Sequence, residues 1–316
     1  MSIAYITHHA CMLHEMGAHH PEQPARLDAI SDRLISSGLD MVLRHYEAPE
    51  AQREHLLRVH DGAYVDGVFN SSPREGLVWL DDDTAMNPYT LEAALYAAGA
   101  VILGVDLVLE GRATQAFCAV RPPGHHAERS RGMGFCFFNN VAVGAAHALE
   151  AHGLERVLIA DFDVHHGNGT EDIFRGDERV LFCSTFQHPF YPHSGSETKA
   201  SNIVNVPLPS RADGAAFREA VMRRWLPAID AFEPQLVMIS AGFDAHVADD
   251  MSSLKLREPD YAWITRRLCE VADHHAEGRI VSALEGGYAL DALGRSVAVH
   301  IKAFLGDHPG SGTSSA

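Results

Sequence analysis

Short apolar runs recur along the chain with little alternation: IAYI (3–6), AFCAV (116–120), RVLIA (156–160), RVLFCS (179–184), IVNV (203–206), QLVMIS (235–240) and RIVSAL (279–284). A strand with one wet face alternates polar and apolar residues, so continuous runs predict strands covered on both faces, as in a parallel sheet. Between them the hydrophobic period lengthens. In ARLDAISDRLISSG (25–38), Leu27, Ile30 and Leu34 form one stripe and Gly38 marks a stop. NVAVGAAHALEAHG (140–153) and YAWITRRLCEVADHHAEG (261–278) likewise end in glycine, where a helix C-terminal cap needs it. Strand and helix alternate, which predicts an α/β fold: a central, mainly parallel β-sheet flanked by helices. Residues 91–109 are helix-like and apolar, but Glu92 and Asp106 interrupt them and leave less than the roughly 20 residues that cross a bilayer. A buried core helix is predicted there, and no membrane segment.

The connections are unequal in length. Helix-to-strand links are short, whereas 121–138, 185–202 and 241–259, which follow strands, are long. Long segments in a compact domain are usually functional, and open α/β sheets bind ligands outside the carboxyl ends of their strands. Four polar clusters leave such ends: RPPGHHAE (121–128), DFDVHHGNG (161–169), AGFDAH (241–246) and EGGYAL (285–290). In an extended segment alternate side chains share a face, so Asp161, Asp163 and His165 point one way while Phe162 and Val164 point into packing. Asp244, from a neighbouring strand end, adds a carboxylate. Asp163, His165 and Asp244 then supply three N/O ligands and leave a position open, as catalytic zinc sites do, and the set also suits Fe(II), Mn(II) or Co(II).

Such a metal acidifies bound water and polarises a carbonyl. Amide hydrolysis further needs a base, an acid and an oxyanion donor. His125 and His126, after the Pro122-Pro123-Gly124 turn, are candidates for proton transfer. Tyr288, after a flexible Gly286-Gly287 pair, is the candidate donor. His166 falls on the alternate face and is read as structural. Gly167 and Gly169 let the chain turn away from the strand. His274-His275 is read as a solvated helix end.

Composition narrows the partners. Lys+Arg number 25 against 42 Asp+Glu, a formal net charge of −17, which repels phosphates and attracts cationic ligands. Direct nucleic acid binding is not expected. The five cysteines form no C-x-x-C pair and suit a reducing compartment, and MSIAYITHHA has neither a basic region nor a long apolar core, so no signal peptide and a cytoplasmic location are expected. At 316 residues and 46% hydrophobic content, with no repeat or linker, one domain over 1–306 is expected, with a flexible Gly/Ser-rich tail at 307–316. A homo-oligomer is compatible with these features.

With RPPGHHA, GFCFFNN (134–140), DFDVHHGNGT, SAGFDAH and EGGY in this order, and HHPEQPARL (19–27) ahead of them, nearly the whole chain resembles the zinc-dependent histone deacetylase and acetylpolyamine amidohydrolase family. HPEQPARL and the asparagine of HHGNG resemble the class II and bacterial class II-like branch. The resemblance implies the arginase/deacetylase-like fold and one Zn2+ per chain on Asp163, His165 and Asp244. It implies His126 as general base and then acid, His125 as electrostatic partner, Asp161 orienting His125, and Tyr288 polarising the acetyl carbonyl. Phe135 and Tyr191, with Gly286 and Gly287, would belong to a narrow acyl-lysine channel, Tyr191 standing where phenylalanine is commoner. Arg26 would sit near an acetate pocket. Asp161, Asp163 and His165 with Ser184 would hold a K+ or Na+ ion. Asn168 replaces the aspartate of class I relatives, and a neutral amide stabilises imidazolium less, so His126 is expected to be more often neutral.

The sequence departs from the pattern at VADDMSSLKL (247–256), where many relatives carry Asp-Pro-Leu, and at His193-Ser194-Gly195. The trio Asp81-Asp82-Asp83 lies where relatives use a rim aspartate. The implied activity is hydrolysis of the acetyl or short acyl amide of acyl-lysine in peptides or proteins, with acetylated polyamines as the alternative substrate; the absence of a long insertion favours acyl-lysine. An arginase-like ureohydrolase would want more carboxylates, against Asn168 and Tyr288. A pocket that only binds acyl-lysine would have lost His125, His126 or Tyr288, and all three are present.

Overall fold

The computed structural model describes residues 2–306; the tail expected at 307–316 lies outside the described residues. Eight parallel strands form one sheet in the order β2-β1-β5-β10-β9-β6-β7-β8. They are β1 (Ile3–Thr7), β2 (Leu43–Glu47), β5 (Gln115–Cys118), β6 (Val157–Asp161), β7 (Val180–Gln187), β8 (Ile203–Leu208), β9 (Leu236–Ala241) and β10 (Ile280–Leu284). A two-stranded antiparallel hairpin, β3 (Val78–Trp79) with β4 (Ala85–Met86), lies apart from it. The seven strands expected from apolar runs are all present. Those in the sheet interior are buried along their length, as continuous hydrophobicity requires. β2 went unread because LRHYE is an edge strand with only Leu43 buried.

Helices cover both faces. Thr90–Leu109 and Asn140–Ala151 pack together against one face, while Ala25–Ser36, Leu290–Phe304 and Glu258–His275 pack in series over the other. Thr90–Leu109 is long and apolar enough to cross a membrane by length and composition, yet most of it is buried against β1, β5, β10 and its neighbour helix. Its apolar surface is used as core. Gly38, Gly153 and Gly278 follow the three glycine-terminated helices with φ of 72°, 68° and 77°, the left-handed conformation an L side chain resists.

The strand order positions the site. After β5 the chain skips two places to β6, runs outward through β7 and β8, and returns to fill the gap with β9 and β10. The four central neighbours β5, β10, β9 and β6 thus carry the four polar clusters on their carboxyl ends, side by side, where the chain changes direction in the sheet.

Candidate active site

Backbone hydrogen bonds aim the carboxylates. Asp163 Oδ1 accepts from the His165 N–H at 2.8 Å and its Oδ2 from the Gly286 N–H at 2.8 Å. Asp244 Oδ1 accepts from the Val164 N–H at 3.0 Å. His165 Nδ1 then lies 3.1 Å from Asp163 Oδ1 and 3.1 Å from Asp244 Oδ2. All three residues are buried, and one ligand atom of each converges within 4.8 Å. Burial together with the charge of Asp163 pushes Asp244 up to about 6. Burial opposes charge on His165 too, but its hydrogen bonds to the two aspartates push it up to about 10. Two carboxylates sharing so little space need a proton or a cation between them. A proton on His165 serves that purpose in the metal-free protein, and a divalent ion fits the same donors.

The surrounding glycines leave no slack. A Cβ on Gly286 would stand 2.1 Å from Asp244 Oδ2, and one on Gly242 2.0 Å from Asp163 Oδ2. Glycine at 286 therefore reflects close approach to the carboxylates, not the flexibility inferred from sequence. Gly287 adopts φ 122°, open only to glycine. The same loop is pinned: Asp249 Oδ2 accepts from the N–H groups of Tyr288 (2.6 Å) and Ala289 (3.0 Å), and Arg26 donates to the carbonyls of Gly287 (2.7 Å) and Glu285. Tyr288 is held in place on a fixed backbone, with the Arg26 guanidinium 4.9 Å from its ring centroid.

The two histidines of RPPGHH separate by partner. His125 Nδ1 is 2.9 Å from Asp161 Oδ2, and its Nε2 is 3.8 Å from Asp163. Burial disfavours its charge, but Asp161 and Asp163 outweigh this and raise it well above the usual histidine range. His126 is pushed well below that range by burial, then by the positive charge of His125 and His165. Its Nδ1 lies 2.7 Å from Asn168 Oδ1. The amide orientation is set by Asn168 Nδ2, which donates to Glu128 Oε1 at 2.7 Å. Asn168 therefore accepts, His126 Nδ1 donates, and its Nε2 keeps a free lone pair.

Gly169 explains how Asn168 comes so near. A Cβ there would stand 2.3 Å from the Ala127 carbonyl, and the N–H groups of Gly169 and Thr170 donate to the His125 carbonyl at 3.1 and 3.3 Å. Gly167 has φ −74° and faces Asp161, which a Cβ would approach to 2.2 Å. Besides the turn inferred from sequence, Gly169 admits the Ala127 backbone and Gly167 the Asp161 side chain. His166 is structural as expected, bonded to Ser184 Oγ (3.1 Å) and Glu171 Oε2 (2.9 Å). Ser184 and Asp161 are register partners on β7 and β6. His275 ends its helix 3.3 Å from Asp230.

A pocket of about 150 Å³ opens above this floor, lined by Asp83, His126, Gly134, Phe135, His165, Phe190, Tyr191, Met251 and Tyr288. Phe135 and Tyr191 are on its wall. Gly286 and Gly287 are not among its lining residues; Gly286 backs the carboxylates from below. The Tyr191 ring meets His126 edge-on at 5.3 Å, and Phe190 stacks on His165 at 5.5 Å. Of the acidic trio, Asp83 is the one on the wall, tied through Thr84 Oγ1 (2.9 Å) to the Phe135 N–H (3.0 Å). Phe190 and Met251 were not singled out from sequence, although Met251 lies in the VADDMSSLKL departure.

Two further groups escaped the sequence reading. Glu285 is fully buried, and its Oε2 accepts from the N–H groups of Gly124 (2.7 Å) and His125 (3.2 Å), holding the histidine loop to β10. Burial pushes it up to about 7. Glu22, from HPEQ, is clamped by Arg121 (2.5 and 2.6 Å) and Arg26 (3.1 Å). Arg26 is thus part of a buried ion network behind Tyr288.

Residues 20–304 match the family model described as the histone deacetylase domain. The histone deacetylase-like amidohydrolase of Pseudomonas aeruginosa is 38% identical, with 86% of this chain and 73% of that protein covered. Polyamine deacetylase HDAC10 of Homo sapiens is 37% identical, over 90% of this chain and 45% of that protein. Among solved structures, the HDA15 HD domain matches with a TM-score of 0.91 at 35% identity, over 96% of this chain and 88% of that one. The chain spans as little as 21% of one relative and as much as 96% of another.

Proposed function

Because this chain belongs to the histone deacetylase family, we propose that it is a zinc-dependent amidohydrolase that removes an acetyl or short acyl group from the ε-amine of lysine in peptides or proteins. The observation that carries the reading is the opposed pair His125 and His126: adjacent in sequence, one is held charged by Asp161 and the other neutral by burial and an amide partner. Separated proton affinities of this kind give one histidine a fixed charge and leave the other free to move a proton.

Asp163, His165 and Asp244 would hold the zinc, whose chemistry is to polarise the acyl carbonyl and acidify water. His126 Nε2, with its free lone pair, takes a proton from water and later returns one to the leaving amine. His125, kept protonated by Asp161, supplies fixed positive charge beside developing negative charge. The Tyr288 hydroxyl donates to the carbonyl oxygen. Phe135 and Tyr191 flank the alkyl chain, Arg26 backs Tyr288 and the acetate end, and the backbone at Asp161, Asp163, His165 and Ser184 would hold a K+ or Na+ ion. Five free cysteines suit the reducing cytoplasm.

Deacetylation of acetylpolyamines is the second reading, favoured by the relative named polyamine deacetylase and by Asp83 on the wall. Met251 on the same wall supports acyl-lysine instead, since it presents an apolar surface where a polycation would want charge. Turnover of matched panels of acyl-lysine peptides and acetylated polyamines tests both, with Tyr288→Phe as control. The variant should lose about 10²- to 10³-fold in kcat while still binding substrate, as loss of an oxyanion donor does. A zinc-loaded wild type that releases no carboxylate from any member would refute the hydrolase reading.

A further inference from the structure

We propose that Asp106, His147 and His152 form a second divalent-metal site, separate from the active-site pocket and closed by Arg58. Asp106 is one of the two charges that interrupt the apolar helix Thr90–Leu109. His147 lies on the neighbouring helix Asn140–Ala151, and His152 is that helix's C-cap, whose turn brings it back beside His147. Both imidazoles aim Nε2 at one oxygen: His147 Nε2 is 2.8 Å and His152 Nε2 2.7 Å from Asp106 Oδ1. One ligand atom from each of the three lies within 4.8 Å of the others, the only such group besides the active-site triad among the described residues. The side chains are 31%, 11% and 24% exposed, so solvent reaches them.

Two imidazoles and a carboxylate, with remaining positions open to water, suit Zn2+, Co2+, Ni2+ or Cu2+ and not Mg2+ or Ca2+, which prefer oxygen. Arg58 decides when the site is open. Its NH1 donates to His147 Nδ1 at 2.9 Å. A guanidinium cannot accept, so Nδ1 carries the lone pair and Nε2 the proton, which faces Asp106. Metal on Nε2 needs the other tautomer, with the proton on Nδ1, and Arg58 displaced. Arg58 is partly exposed just past the one-turn helix Arg53–Leu56, so its long side chain can turn to solvent. The hydrogen-bonded triad is the closed form, and the cost of moving Arg58 lowers the apparent metal affinity.

A bound ion would tie the two helices together near the C-terminal end of Asn140–Ala151. The other end of that helix holds the histidine loop, through Asn139 to the Ala127 carbonyl (3.3 Å) and Asn140 to the Pro122 carbonyl (3.1 Å). The site is therefore placed to stiffen the catalytic loop without touching it.

Zinc per full-length chain, measured by equilibrium dialysis and elemental analysis, tests the proposal without reference to amide hydrolysis. Wild type should reach two zinc ions, His152→Gln one, and Asp244→Asn one, since it keeps only the second site. Arg58→Met, which keeps the apolar stem and has no donor, should reach two, with the second bound about tenfold more tightly because the competing donor is gone. Asp106→Asn provides a second disruption should His152→Gln fold poorly, and should also hold one. A wild type that stops at one ion, a His152→Gln protein that still binds two, or an Arg58→Met protein with unchanged second-site affinity would overturn it.

Discussion

Asn168→Asp changes one atom of the site and tests how His126 is tuned. In the native site a neutral amide oxygen accepts from His126 Nδ1 at 2.7 Å, and burial with nearby positive charge holds that imidazole neutral. A carboxylate there would favour the imidazolium. Two unit charges about 4 Å apart interact by about 4 kcal/mol at an effective dielectric of 20. At roughly 1.4 kcal/mol per unit, this bounds the rise in pKa at about three units. Glu128, which now accepts from Asn168 Nδ2 at 2.7 Å, would repel the new carboxylate and spread its proton over the pair. A net rise of about one to two units is expected. If His126 must be neutral in the free enzyme, kcat/KM follows its titration and falls on the acid side of that pKa. Raising the pKa moves this limb to higher pH, so activity falls on the acid side and is retained on the alkaline plateau. Adding Glu128→Gln removes the repulsion and should enlarge the shift. A pH profile of kcat/KM whose acid limb stays in place, in a folded variant with wild-type zinc content, would refute the assignment of His126 as base and Asn168 as its regulator.

The metal-free triad should make stability depend on pH in a particular direction. Asp244 is raised above its unfolded value to about 6, so its ionised form burdens the fold above that pH and the burden lifts below it; His165, raised to about 10, contributes stability that is complete below about 6.5 and fades as pH rises. Both act alike, so chelated protein should have a higher Tm at pH 5.5 than at pH 8, with the zinc-loaded protein showing a smaller change, and a flat or opposite trend in thermal melts would contradict the site electrostatics. Glu285→Ala strands two buried N–H groups, at about 1–3 kcal/mol each, and should lower stability by about 2–6 kcal/mol in chemical denaturation. Glu285→Gln keeps an acceptor and should cost less, gaining on wild type from pH 6 to pH 8 because the native carboxyl, raised to about 7, becomes charged over that span. Met251→Glu places a carboxylate on the pocket wall and should shift the kcat/KM ratio of acetylpolyamine to acetyl-lysine peptide upward by about tenfold or more, given about 1–4 kcal/mol for a new charge pair; an unchanged ratio would remove this wall from the specificity argument.

What could be read from the sequence depended on how local its physical cause was. Two of the three candidate metal ligands were legible because Asp163 and His165 alternate just past the end of β6, a continuous apolar strand, so one local rule places them on one face, while Asp244 had to come from a neighbouring strand end. The fold class followed from the same runs. Strand order did not, since β5 and β6 are successive among the strands of the main sheet yet flank β10 and β9, and nothing near either strand specifies the pair that returns between them. Glu285 shows the limit most clearly. Its role is to accept from N–H groups about 160 positions earlier in the chain, a relation that exists only once β5 and β10 are neighbours. The glycines were found for the wrong reason on the same account. Gly286 was read as flexible and Gly169 as a turn residue, but each stands where a side chain or backbone from a distant strand end occupies the space its Cβ would take. Close approach from afar and local freedom leave the same letter in a sequence, and they predict opposite things about motion: the loop bearing Tyr288, packed against Asp244 and pinned by Asp249 and Arg26, is built to hold its backbone still.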